Sequence, residues 1–144
     1  MDNQKLSEKI DYIKELFGES VLPEIPEAIS NNLKHNMWPL QEEAFKNFLF
    51  YENVKEGSSN DSLPNVEFVK KDEPTHLMFN MATGSGKTML MAACILHYMH
   101  LGYRKFLFIT NQTNILDKTE ENLINKLHQK YLFDDQLMIN SERV

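Results

Sequence analysis

The stretch His76-Leu-Met-Phe-Asn-Met-Ala-Thr-Gly-Ser-Gly-Lys-Thr88 decides how this chain is to be read. A short apolar run predicts a strand. A glycine-bearing loop follows, and Lys87-Thr88 then opens an apolar helix that runs to about Leu101. A loop that wraps a polyphosphate needs this order. The strand fixes where the loop begins, the glycines let backbone N–H groups turn inward, and the helix points its positive end at the same anion. Thr83, Gly84, Ser85, Gly86, Lys87, Thr88 and Met89 are therefore the candidate phosphate-binding residues. Lys87 would reach the outer phosphates, and the Thr88 hydroxyl would take one position on Mg²⁺. The full pattern G-x-x-x-x-G-K-[ST] asks for a glycine at position 81, where this chain has Met81. The competing reading is a plain Gly-Ser-Gly turn between a strand and a helix.

After the helix, Gly102 breaks the pattern and Lys105-Phe-Leu-Phe-Ile-Thr110 predicts a second, buried strand. Strand, loop, helix and strand in this order form a βαβ crossover, which implies parallel strands and a right-handed connection. The expected fold class is thus α/β, a partial parallel sheet of the P-loop type with flanking helices, preceded by N-terminal helices.

The 144 residues carry 15 basic and 21 acidic side chains, a net charge of −6. Nucleic-acid binders draw most of their affinity from neutralised phosphates and are usually basic, so this stretch alone is not expected to hold DNA tightly. The 42% apolar and 25% charged content is that of a globular domain. The N-terminus lacks the layout of a signal peptide and no apolar run is long enough to span a bilayer, so no membrane association is expected. The one cysteine, Cys94, leaves no internal disulfide and fits a reducing, cytoplasmic setting.

Upstream, Leu6, Ile10, Ile13 and Phe17 recur at helical spacing and Gly18 stands where a cap is expected, which predicts a helix from about Gln4 to Phe17. Pro26 begins a short helix through Ile29 and Leu33. Pro39 begins another, with Leu40, Ala44, Phe48, Phe45 and Leu49 on its apolar face. Gln41 lies in its first turn. A carboxamide can pair with both the N6 and N7 positions of adenine, but on spacing alone Gln41 reads as an exposed helix residue. From Glu52 to Pro74 the chain turns polar and predicts a surface insertion, with a marginal strand at Val66–Val69. Asp134-Asp135 reads as a turn.

Cys94, His97 and His100 are spaced three apart, and each step falls about 60° short of a full helical turn, so the outer two point about 120° apart. With no other Cys/His cluster to complete a shell, no metal site is expected there. Beyond the second strand, Ile115, Thr119, Leu123 and Leu127 line one face of a helix. Asn111, Gln112, Thr113 and Asn114 gather at its N-terminal end. That neutral, donor-rich patch would lie at a strand's carboxyl edge, where open α/β sheets bind ligands. Helix capping explains it equally well.

Taken together, these residues resemble the N-terminal part of the motor domain of superfamily 2 helicases, and within them the restriction (Res) subunit of type III restriction–modification enzymes. Trp38-Pro-Leu-Gln41 falls where those proteins carry an adenine-reading glutamine. Phe79-Asn-Met-Ala-Thr-Gly-Ser-Gly-Lys-Thr88 is similar to the Res phosphate loop almost residue for residue. Gly102 to Thr119, with Asn122 and Lys130-Tyr-Leu-Phe133 beyond, resembles the Res segment that touches the DNA backbone, where general helicases place a proline near Asn111. The resemblance covers about Trp38 to Val144. Trp38 and Leu40 depart from it, since relatives often carry arginine and an aromatic there.

The resemblance implies ATP and Mg²⁺ as cofactors and a role for Gln41 at adenine. It also implies Lys87 and Thr88 at the transferring phosphate, and Asn111 to Asn114 as DNA-backbone contacts. The expected division is residues 1–36 as a helical segment and 37–144 as the first part of a RecA-like domain. Residues 52–74 form its insertion, and the chain stops before the acidic Walker B motif. The parent would be a DNA-dependent ATPase that translocates on and cleaves DNA with a methyltransferase (Mod) subunit, this piece alone being inactive. Alternatives are another superfamily 2 helicase, of type I restriction or repair type, or a non-catalytic remnant.

Overall fold

The computed structural model describes residues 4–57, 66, 68–69 and 72–143. Five α-helices carry most of the order: α1 (Leu6–Phe17), α2 (Glu27–Ser30), α3 (Pro39–Glu56), α4 (Lys87–His100) and α5 (Thr113–Leu123). Two short strands, β1 (Met138–Ile139) and β2 (Glu142–Arg143), pair antiparallel with Met138 opposite Arg143. Asn140 and Ser141 between them both take positive φ, as the tightest hairpin turn requires. The chain divides into two compact units.

The first unit comprises residues 1–25 and 43–80. Helix α1 buries Ile10 and Ile13 against Phe50 and Val54 of α3, joined by Val66 and Val69. Gly18, at φ +88°, ends α1 by turning its N–H back onto Lys14 O. The Lys14 ammonium lies 2.7 Å from Asp11, whose hydrogen-bonded carboxylate holds Lys14 above the usual lysine range. Val66 and Val69 close a turn, the Val69 N–H donating to Val66 O, where the sequence suggests a marginal strand. Their burial explains the apolar pair better than sheet pairing does. The central part of the expected insertion, residues 58–65, lies outside the described residues.

The second unit comprises residues 26–42 and 81–144. Helix α4 buries Met89, Leu90, Ala92, Ala93 and Leu96, as an almost wholly apolar helix must. Residues 32–34 pair with the chain near 132–138. Leu33 bridges Phe133, the Lys34 N–H donates to Leu132 O, and the Asp134 N–H donates to Asn32 O. The Asn32 carboxamide, 3% exposed, donates to Ala28 O and Met138 O and accepts from the Met138 N–H, each at 2.7 Å. Asp134 accepts from the Gln136 N–H, so Asp134-Asp135 forms the expected turn.

Three expectations change. Leu40 is 56% exposed, and Gln41 is buried in its place. Along α3 the inward stripe is Gln41, Phe45, Phe48 and Glu52, at helical spacing, and Leu40 falls off that phase. The stretch Lys105–Thr110 is not a buried strand: Leu107 and Ile109 are 87% and 81% exposed. Among the described residues neither it nor residues 76–80 belongs to a sheet. A strand exists through its neighbours, and the described residues leave Leu107 and Ile109 uncovered. Phe106, Leu107 and Phe108 border an apolar hollow of about 560 Å³ that also touches Met91 and Ile95 of α4 and Leu116 and Leu123 of α5. Helix α5 ends at Leu123, one turn before the expected Leu127, which is 97% exposed.

Candidate nucleotide site

The loop between residue 81 and α4 folds on itself. Ala82 O accepts from the Ser85 N–H, the Ser85 hydroxyl and the Lys87 ammonium, the last at 2.9 Å. Lys87 Nζ also donates to Met81 O at 2.8 Å. Gly84 and Gly86 sit at φ +84° and +78°. Such values suit glycine, because a Cβ would crowd the following carbonyl. Gly86 is the N-cap of α4, and the Met89 N–H donates to its carbonyl.

The consequence is a set of main-chain donors facing away from protein acceptors. Among the described residues the N–H groups of Thr83, Gly84, Gly86, Lys87 and Thr88 donate to no protein oxygen. Two of these begin α4, where the helix leaves its first donors unpaired and its dipole favours an anion. No Cβ stands at Gly84, and one placed there would meet nothing within 4 Å. Donors, an exposed ammonium and open space beside a glycine fit a polyphosphate. Thr88 is half-buried in the first helical turn and Met89 is buried behind it.

Gln41 reaches this loop. Its Nε2 donates to Ser85 O at 2.8 Å and its Oε1 accepts from the Trp38 N–H at 2.9 Å. A Cβ built on Gly86 would overlap Gln41 Nε2. The side chain is 4% exposed, against the exposed position that spacing suggests. The signal was available in its phase with Phe45 and Phe48. Polar Gln41 masked it.

Asn111, Gln112, Thr113 and Asn114 are all exposed at the start of α5. Gln112 is the N-cap, and no side chain caps the helix. The capping explanation therefore loses its hydrogen bond. Sequence reasoning also missed His100, at the end of α4, whose Nδ1 lies 3.2 Å from Asn140 Oδ1 and whose Nε2 lies 3.2 Å from Ala28 O. No local pattern announces contacts so far apart in the chain.

Compared with known proteins, the family described as "Type III restriction enzyme, res subunit" matches residues 34–143. This chain belongs to that family. The Res family carries a P-loop helicase fold, in keeping with the loop and helix described above. A curated relative, the probable type III restriction-modification enzyme HindVIP Res subunit of Haemophilus influenzae, is 46% identical over 114 residues. That alignment covers 79% of this chain and 21% of the relative, so the chain spans about a fifth of the relative's length. No solved structure gives a significant match. No helix among the described residues is long and apolar enough to cross a membrane.

Proposed function

We propose that this chain is the nucleotide-binding part of a Res-type motor, with ATP and Mg²⁺ as its cofactors. The observation that supports the reading is that the N–H groups of Thr83, Gly84, Gly86, Lys87 and Thr88 meet no protein acceptor among the described residues, beside the Lys87 ammonium. In this reading the amides of Thr83, Gly84 and Gly86 line the phosphate cradle, and Ser85 holds its turn through Ala82 O. Lys87 leaves the carbonyls of Met81 and Ala82 for the outer phosphates, Thr88 offers its hydroxyl to Mg²⁺, and Met89 backs the loop. Gln41 belongs to the same site. The bound metal supplies charge neutralisation for the phosphates.

The fold we propose around it is a RecA-like parallel sheet in which residues 76–80 and 105–110 are strands of a βαβ crossover. The exposed apolar side chains of Met78, Leu107 and Ile109 support it, since parallel sheets are covered on both faces. Residues 1–36 then form a helical segment and 37–144 the first part of the motor domain, with 52–74 inserted and the Walker B acids further along a longer parent. That parent hydrolyses ATP to act on DNA, cleaves it through a separate nuclease region, and works in the cytoplasm with a methyltransferase (Mod) subunit. The 46% identical relative, named as a probable type III restriction-modification enzyme Res subunit, supports the restriction-modification part of this reading. Asn111, Gln112, Thr113 and Asn114, exposed and engaged in no cap, are the DNA-backbone candidates.

The test is calorimetric titration of the 144-residue chain with ATP·Mg²⁺, beside an ATPase assay. Binding is expected in the native chain, with no turnover above background. Lys87→Ala is expected to abolish binding while leaving the circular dichroism spectrum unchanged. Equal binding by that variant would refute the reading.

A further inference from the structure

We propose that the apolar hollow between α4, α5 and residues 106–108 is a binding site for a small apolar amine, its body packed among aromatic and methionine side chains and its ammonium group on the Tyr131 hydroxyl. The hollow lies wholly within the second unit and shares no residue with the phosphate loop or Gln41, so it stands apart from the nucleotide reading. Its volume of about 560 Å³ falls inside the range of roughly 300 to 1,000 Å³ that holds small ligands.

Met91, Ile95 and Met99 recur at one-turn spacing along α4 and give the hollow one wall. Methionine is soft and unbranched, so that wall adapts to the shape of what it meets. Phe106, Phe108, Tyr131 and Phe133 contribute aromatic rings, with Tyr131 and Phe133 edge to face at 5.8 Å. Ring faces attract cations, most of all where water is displaced. Among the described residues that line the hollow the one charged side chain is Glu120, and no lysine, arginine or histidine joins it. The lining thus favours a cation over an anion of the same shape.

One polar group there is unspent. Tyr131 is 3% exposed, yet its hydroxyl meets no hydrogen-bonding partner among the described residues. Buried tyrosine hydroxyls ordinarily find a partner, and one left without costs stability. The Thr119 hydroxyl already donates to Ile115 O at 2.8 Å, which leaves Tyr131 as the free hydroxyl of the lining. Burial and the Asp135 carboxylate hold the Tyr131 hydroxyl above the ordinary tyrosine range, so it keeps its proton at neutral pH and offers its oxygen lone pairs to a donor. An ammonium N–H supplies that donor, and the carboxylates of Glu120 and Asp135 complement its charge. A carboxylate or phosphate in the same place would meet two like charges.

The experiment titrates the 144-residue chain by calorimetry with naphthylmethylamine and with naphthoate, an anion of the same apolar body. The amine is expected to bind about tenfold tighter. Tyr131→Phe removes the hydroxyl and keeps the ring, and is expected to weaken the amine about five- to tenfold. Leu116→Trp, at an exposed position that lines the hollow, is expected to fill it and abolish binding.

Equal affinity for the amine and naphthoate would overturn the proposal, as would an unchanged amine affinity in Tyr131→Phe. No saturable binding of the amine up to about 1 mM would overturn it too. Sedimentation tests the other occupant: a dimer that excludes the amine makes a second copy the cover of this hollow and refutes the small-molecule site. If neither variant folds, methyl NMR of the native chain decides. Amine-induced shifts at Ile95, Leu116 and Leu123 support the proposal, and their absence refutes it.

Discussion

Asn32→Ala tests how the second unit is held together. The carboxamide makes three hydrogen bonds of 2.7 Å to main-chain groups, two of them to Met138, a residue 106 positions away. Each bond contributes roughly 1 kcal/mol net, and an amide left without its acceptor adds a desolvation cost. The Met138 N–H loses its acceptor in the variant, so the expected destabilisation is about 2 to 4 kcal/mol. For a chain of this size that lowers the melting midpoint by about 6 to 16 °C. Trp38 lies in the same unit and supplies the fluorescence signal. Asn125→Ala serves as control, since its Oδ1 accepts one exposed bond from the Leu127 N–H and its loss is expected to move the midpoint by about 2 °C at most. An Asn32→Ala midpoint within about 2 °C of the native chain would show that the clip is replaced by water at little cost.

Two further outcomes follow from the same unit. Burial pushes the Tyr131 hydroxyl above the ordinary tyrosine range, with Asp135 adding to the effect. A raised folded-state value means that its contribution to stability is fully present below about pH 10, the unfolded value, and is lost as pH rises through the folded one. Tyr131→Phe is expected to flatten the alkaline limb of a midpoint-against-pH curve, and an unchanged limb would exclude Tyr131 as its source. Gly86→Ala and Gly84→Ala separate backbone strain from contact. Both residues sit at positive φ, but only at Gly86 does a new Cβ overlap Gln41. Without nucleotide, chemical denaturation should show Gly86→Ala less stable than Gly84→Ala by about 1 to 2 kcal/mol, and equal losses would contradict the Gln41 contact.

The phosphate loop was legible in the sequence because its information is local. Two glycines at positive φ and a Lys-Thr pair at a helix start are dictated by neighbours in the chain. Helix ends were legible for the same reason, as at Gly18 and Pro39. Spacing alone read Gln41 as exposed because a polar side chain is taken as outward-facing unless its phase is checked, and here Phe45 and Phe48 share that phase. Asn32 was missed altogether. Its partner at Met138 depends on a two-residue turn through Asn140 and Ser141, which lacks the glycine that usually announces such a turn.

The stretch Lys105–Thr110 is where the sequence pattern and the observed burial differ most. Leu107 and Ile109 are apolar side chains the described residues leave exposed, and Phe106, Leu107 and Phe108 border a hollow of about 560 Å³. The hollow opens to solvent beside α4 and α5, and its lining is apolar. Covering Leu107 and Ile109 alone would contribute about 3 to 6 kcal/mol. The same six residues precede Asn111 to Asn114, so whatever covers the strand also fixes where the DNA-backbone candidates point. The phosphate loop, closed by Gln41 and Lys87 through bonds inside one unit, does not wait on that cover. Nucleotide binding is therefore expected of these residues whether or not Leu107 and Ile109 are covered.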